Sequence, residues 1–253
     1  MRSYLICELK RKIISSEFLI SVIAFIAVGL LNAYFNIYST NKVGIGGLTL
    51  FIHSTVLGYS LFSYVAPIIG ALPVCSKIVD SIASGYINQE LARVPKRTYI
   101  NIQIISSSIT GASVLGISCI AYLIVCIIVE PTAAIRLLPM RYISSYNTIY
   151  AKSLFGFCII IIINSMLFGV SYALFSLGIA YKIRNKIAVL TIITAFYVGA
   201  TFLNRINICG MPILPCGSFV MLVSEIATAK DHILTSILGI VLFNRNFYTL
   251  RNV

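Results

Sequence analysis

The sequence predicts an all-α integral membrane protein, and three observations predict it. Mean hydropathy is +0.98, with 59% hydrophobic residues against 10% charged. A soluble domain carries about 25% charged residues, so no single soluble core can hide this chain and a bilayer must solvate it. The apolar runs are continuous rather than alternating, which argues against a barrel. They also recur at the length of about 20 residues that a spanning helix needs.

Six spans are expected, with an amphipathic elbow helix before them. In that elbow, residues 1–12, Tyr4, Leu5, Leu9 and Ile13 fall at roughly helical spacing. Glu8, Lys10, Arg11 and Lys12 lie mostly elsewhere, a pattern suited to the inner membrane interface. The first span is 13–35. Its apolar run is too long for a signal-peptide core and has no small-residue cleavage site behind it, so it stays as an anchor. The second, 55–75, carries Pro67 and Pro73, the two candidate helix breakers. The third is 100–129 and the fourth 154–181. As a helix the fourth would be about 42 Å long, so it must tilt or project from a hydrocarbon core of about 30 Å. The fifth is 187–203 and the sixth 231–247. Starting the sixth at Met221 would bury Glu225, Lys230 and Asp231, at about 2.5–3.5 kcal/mol each for the last two if central. Within the outer segment, 204–230, Ser218–Ala229 is therefore expected as a short helix dipping into the outer interface.

Basic residues set the orientation. With the N-terminus inside, the cytoplasmic segments hold thirteen Lys and Arg, and the outer ones hold six: Lys42, Arg136, Arg141, Lys152, Arg205 and Lys230. That bias puts both termini in the cytoplasm of a cell whose plasma membrane the chain crosses. The net charge of +12 is accounted for by the same rule and by anionic lipid, so nucleic acid is not an expected partner.

Signals for catalysis are nearly absent. His53 and His232 are far apart, and there is no HExxH, GxSxG or CxxC, so neither an enzyme nor a metal site is expected. Asn164, mid-way along the fourth span, is the polar residue placed deepest. It suits an interhelical hydrogen bond or a substrate contact. Cys75, Cys119, Cys126 and Cys158 lie in apolar runs and read as small hydrophobes, while Cys7 should face the reducing cytoplasm. Cys209 and Cys216 flank GMPILP on the outer side, where Pro212 and Pro215 favour a turn; they are a candidate structural disulfide.

One long polar interruption remains, Ser76–Asn101. It holds Lys77, Asp80, Glu90, Arg93, Lys96 and Arg97, six of the 26 charged residues. The second helix should continue through Asp80 and stop near Gly85. Ile87–Arg93 is compatible with a helix, Val94-Pro95 breaks the pattern, and Lys96 and Arg97 open the third span. A mere basic loop would explain neither the length, nor the helix–Pro–basic order, nor the acidic residues mixed in.

This arrangement resembles the permease subunits of type-2 ABC exporters, in the small six-helix form of low-GC Gram-positive bacteria. Asp80 and Gly85 match the acidic–Gly start of the family's loop between spans two and three. Leu91, Arg93, Pro95, Arg97 and Tyr99 resemble its Leu–Pro–Arg–Tyr continuation, with no serine before Arg97. Gly169, Tyr172, Ala173 and Phe175 are similar to the family's small-and-aromatic fourth span. The resemblance implies that Asp80, Gly85, Ile87, Asn88, Glu90, Leu91, Arg93, Pro95 and Arg97 form the coupling segment, 76–99. That segment would contact a dimer of cytoplasmic ABC ATPase subunits, and a second permease copy or paralogue would complete the unit. ATP and Mg would be bound by the ATPase, because this chain has no GxxxxGK[ST] loop. The resemblance also implies short re-entrant helices in the outer segment, 204–230. The implied translocation path runs between two permeases, with Asn164, Phe196 and Tyr197 as candidate lining for an amphipathic cargo such as an antimicrobial peptide, drug or lipid. The competing expectations are a stand-alone secondary transporter or channel, which should show broken helices or ionisable groups at depth, and a membrane enzyme or assembly factor.

Overall fold

The computed structural model describes residues 2–40, 46–56, 61–131, 152–205, 207–208 and 211–212. They form helices α1 (Arg2–Ile13), α2 (Ser16–Thr40), α3 (Gly47–Val56), α4 (Leu61–Ala83), α5 (Tyr86–Arg93), α6 (Lys96–Val129), α7 (Leu154–Lys182) and α8 (Lys186–Arg205). A two-residue antiparallel pair follows, β1 (Asn207–Ile208) with β2 (Met211–Pro212).

Among the described residues, four helices contain stretches long and apolar enough to cross a membrane: Ser16–Phe35, Tyr64–Ala83, Lys96–Val129 and Leu154–Lys182. In α8 the apolar stretch, Lys186–Gly199, is shorter. Polar residues start these helices where the sequence changes character. The Ser15 hydroxyl accepts from the Phe18 N–H, that of Ser153 from the Gly156 N–H, and the Asn185 amide oxygen from the Ile187 N–H. Each satisfies a first-turn donor that no helical carbonyl reaches.

The bundle is built around α4, which packs on α2, α6, α7 and α8. Outward stripes of large apolar residues run along α2 (Leu19, Ile23, Leu30) and α6 (Ile105, Ile109, Ile120, Ile124) at helical spacing. Such stripes would aggregate in water and suit lipid. Helices α6 and α7 approach most closely at two glycines: a Cβ built on Gly111 would collide with the Gly169 carbonyl, and one on Gly169 with the Gly111 carbonyl. Small residues of this kind let membrane helices touch along their backbones, where dispersion and not hydrophobic exclusion drives association.

Contacts fix which helix ends lie together. Glu17 at the start of α2 meets Lys77 near the end of α4 at 3.2 Å, and Asp80 meets Lys186 at the start of α8 at 2.7 Å. With α1, α5 and the start of α6, these make one end of the bundle. The other end holds the Gly47 N–H bonded to the Glu130 carbonyl at 2.8 Å.

Four expectations need correction. The second span, expected over 55–75, is carried by α4, whose described residues run from Leu61 to Ala83 with the apolar stretch at Tyr64–Ala83; residues 47–56 before it are also helical, α3, and 57–60 lie outside the described residues. The polar triplet His53-Ser54-Thr55 falls inside α3, near its end, and so does not mark where the helix begins. Gly46 turns the chain at φ 84°, and Gly47 sits where a Cβ would meet the Cys126 carbonyl at 2.6 Å. Helix α3 therefore lies directly on α6, burying Leu50, Phe51 and Ile52. Second, Pro67 and Pro73 do not break α4, which is continuous across both; neighbouring helices make such prolines tolerable in membrane spans. Third, Asn207 and its neighbours are extended, paired Asn207 to Pro212 and Ile208 to Met211, where re-entrant helix was expected to begin. The fourth concerns α1 and belongs with the site. The sixth span, 231–247, the rest of the outer segment, and Cys209 and Cys216 lie outside the described residues.

Candidate functional site

Helix α5 is set off from its neighbours by two backbone devices. Gly85 adopts φ 69°, ψ 7°, the left-handed conformation that favours glycine, and so turns the chain out of α4. At the other end Val94 is extended (φ −123°, ψ 133°), as a residue before proline prefers, and Pro95 precedes α6. The result is an eight-residue helix between α4 and α6, set off from both by its backbone turns.

Its faces divide the expected coupling residues. Asn88 and Arg93 are exposed, as are Pro95 and Arg97 beyond it. Ile87 and Leu91 are half-buried against the core. Glu90 points inward and is only 6% exposed. Asp80 lies apart from this group in a two-oxygen contact with Lys186, with Nζ 2.7 and 2.9 Å from its carboxylate oxygens. Both side chains are well exposed, so water screens the pair and it contributes about 0–1 kcal/mol.

Beneath α5 lies a buried polar cluster that the sequence reading missed. Helix α1 does not bury an apolar face alone: its most buried side chains are Glu8 (2% exposed) and Lys12 (0%), while Tyr4, Leu5, Leu9 and Ile13 are half-buried. The Lys12 ammonium donates to Gln103 Oε1 at 2.9 Å, Ser106 Oγ at 2.7 Å and Ser107 Oγ at 3.0 Å, all on α6. Its three protons meet three acceptors, as a buried ammonium requires. Glu8 accepts from Arg11 at 3.1 Å and from the Gln103 amide at 3.2 Å. The Arg11 guanidinium lies 4.8 Å from the centre of the Tyr86 ring, a cation–π contact that ties α1 to α5. The available signal was the spacing: Tyr4, Glu8 and Lys12 recur every four residues and share one face.

Between α1 and α5 a cavity of about 190 Å³ is lined by Tyr4, Tyr86, Gln89, Glu90, Arg93 and Val94. The Tyr4 and Tyr86 hydroxyls lie close enough to the Glu90 carboxylate to interact with it, but neither Glu90 oxygen nor the Tyr4 hydroxyl completes a hydrogen bond of good geometry among the described residues. Burial raises the Tyr4 phenol well above its ordinary range, and the Glu90 and Glu8 charges push the same way. The Tyr86 phenol is raised for the same reasons, burial first and Glu90 next. Lys12 is lowered to about 7 by burial, against the partly compensating charge of Glu8.

The candidate path residues are not brought together as one surface. Tyr197 is 1% exposed and sits among Tyr64, Phe168 and Tyr172, with ring centres 5.9–6.4 Å away. Phe196, 39% exposed, turns outward and packs on Phe175 at 4.8 Å. Asn164 is buried on α7. Cys75, Cys119, Cys126 and Cys158 are buried and unpaired, and Cys7 is exposed.

Compared with protein-family models, curated proteins and solved structures, the chain matches none. What it does is therefore argued from its own residues.

Proposed function

We propose that this chain is the membrane permease subunit of an ATP-driven exporter, with α5 as the docking helix for a separate cytoplasmic ATPase. One observation carries the reading. An eight-residue helix between two spans presents Asn88 and Ala92 outward, with Gln89 and Arg93 exposed at the rim of the α1–α5 cavity, while its other face is braced on α1 and on the bundle end. A connecting loop needs no such brace. A segment that must transmit force to the spans does.

On this reading six spans cross the plasma membrane with both termini in the cytoplasm, and the end bearing α1 and α5 is the cytoplasmic one. Two such chains, or this chain and a paralogue, stand on two ATPases that bind ATP and Mg. Closure of the ATPases pushes α5 and biases the bundle between two arrangements. An amphipathic cargo, such as an antimicrobial peptide, drug or lipid, passes between the two copies along surfaces such as that of Phe196. Tyr197 and Asn164 then act from behind that surface, as packing.

The test is co-expression with the ATPase encoded beside this chain, capture on a tag here, and the same capture with Arg93→Glu. Recovery of the ATPase, lost in the variant, supports the reading; no recovery with a folded wild-type chain rejects it.

A stand-alone carrier is favoured by one observation, helix α3. It enters the bundle from the end opposite α5, and its buried Ser54 meets Tyr122 on α6 and the Asn32 amide on α2. Short helices ending among buried polar groups recur in secondary transporters. Flux through liposomes holding this chain alone, without ATPase, would decide for it.

A further inference from the structure

The Glu90 cavity does not follow from a docking helix as such. A docking helix needs an outward face; it does not need a carboxylate on its inward face. Leaving a buried carboxylate without a counter-charge is among the more costly arrangements a fold can keep, and among the described residues Glu90 forms no ion pair, its close polar neighbours being the neutral Tyr4 and Tyr86 hydroxyls. Among the described residues, the buried or half-buried cations of α1 have partners other than Glu90, although the Arg11 Nε has none. Lys12 holds three α6 oxygens, and Arg11 holds Glu8 and the Tyr86 ring. Arg93, one turn along α5, lines the cavity but remains exposed and forms no ion pair with Glu90.

The walls say what would fit. At about 190 Å³ the space exceeds the roughly 30 Å³ share of one water, yet falls below the ~300 Å³ at which small-molecule sites begin. It suits the end of one side chain. A hard divalent ion would seek about six oxygen ligands, and no group of three His, Cys, Asp or Glu side chains forms among the described residues. Two tyrosines beside one carboxylate instead offer ring faces and a counter-charge, the combination that holds a guanidinium or an alkylammonium.

We infer that the α1–α5 cavity is a socket for one arginine or lysine side chain of the cytoplasmic partner, with Glu90 as its counter-ion and Tyr4 and Tyr86 as its walls. This rests on the reading of α5 as a docking helix. It makes docking a keyed event: the exposed face of α5 positions the partner, and the inserted cation neutralises Glu90 and bridges α5 to α1. Movement of the partner is thereby passed to both helices.

Two measurements test it. The first uses the purified chain alone, with Cys7, Cys209 and Cys216 replaced by serine and the cavity residue changed by Gln89→Cys. Its modification by a cationic aminoethyl and an anionic sulfonatoethyl methanethiosulfonate is compared with that of Ala92→Cys on the outer face. The cavity should favour the cationic reagent by about tenfold beyond the control, and Glu90→Gln should abolish the preference. No preference, a preference indifferent to Glu90→Gln, or one seen only after Arg93→Ala overturns the socket; the last would make Arg93 its occupant.

The second is capture of the ATPase. Glu90→Gln should weaken it about tenfold or more, and Glu90→Lys should abolish it, with recovery when one arginine or lysine of the ATPase is changed to glutamate. A cationic preference combined with capture indifferent to Glu90→Gln overturns the partner as the source of the cation. If the wild-type chain captures no ATPase while the preference stands, the docking reading fails, and the partner side chain fails with it.

Discussion

At the scale of single residues, the end of the bundle that bears α1 and α5 buries three of the described charged side chains, Glu8, Lys12 and Glu90, and the last two contrast. Lys12 has an acceptor for each of its protons; Glu90 has only tyrosine hydroxyls beside it and no ion pair among the described residues. Removing a charge therefore has opposite effects at the two positions. Glu90→Gln keeps the shape of the side chain and removes an uncompensated charge, so it should stabilise the isolated chain by about 1–3 kcal/mol, read as a raised unfolding midpoint in detergent. A lowered midpoint would mean that Glu90 already has a partner in the free protein. Lys12 predicts a pH dependence. Its folded pKa is held at about 7, below its unfolded value, so the unfolded chain binds a proton that the folded chain has released. The penalty is full below about pH 7 and is relieved as pH rises above it, by at most about 1.4 kcal/mol per unit. The unfolding midpoint of the wild-type chain should climb between pH 7 and 9 relative to Lys12→Met. Parallel pH curves for the two proteins would refute the shift.

At the scale of elements, legibility tracked how local the cause was. The limits of α5 could be read from Gly85 and Pro95 because both act through their own backbone angles. Helix α3 could not be read, since what places it in the bundle is the contact of Gly47 with Cys126 and Ile127 on α6, far along the chain. The buried face of α1 was misread for a similar reason. Amphipathic reasoning assigns charges to water, and only the acceptors on α6 make Lys12 an interior residue. The α6–α7 contact gives a sharp test of packing. Gly111→Ala and Gly169→Ala each drive a methyl group into the facing backbone, which cannot move aside as a flexible side chain would. Each should lower stability by about 1–3 kcal/mol. Gly199→Ala, on a face with nothing within 4 Å, should be neutral or stabilise α8 by up to about 1 kcal/mol. Equal effects at all three positions would mean that the close approach carries no weight.

At the scale of the whole molecule, the chain reads as a membrane protein from composition alone, and the structure adds which helix ends share a side. Glu17, Lys77, Asp80 and Lys186, with α1, α5 and the start of α6, define one end. Gly47 and Glu130 define the other. This grouping follows from contacts and is independent of the basic-residue count, which alone says which end faces the cytoplasm. The two arguments meet in one experiment. In intact cells, with Cys7, Cys209 and Cys216 replaced by serine, a membrane-impermeant maleimide should label Pro131→Cys, beside Glu130. It should leave Ser84→Cys, in the exposed turn before α5, unlabelled until the membrane is permeabilised. The reverse pattern would keep the bundle and invert its orientation, putting α5 outside and ending its role as the docking site of a cytoplasmic ATPase. Labelling of both from outside would break the grouping of ends itself, because α6 must place Lys96 and Val129 on opposite faces: at 34 residues it is about 51 Å long, well beyond the ~30 Å of hydrocarbon it has to cross.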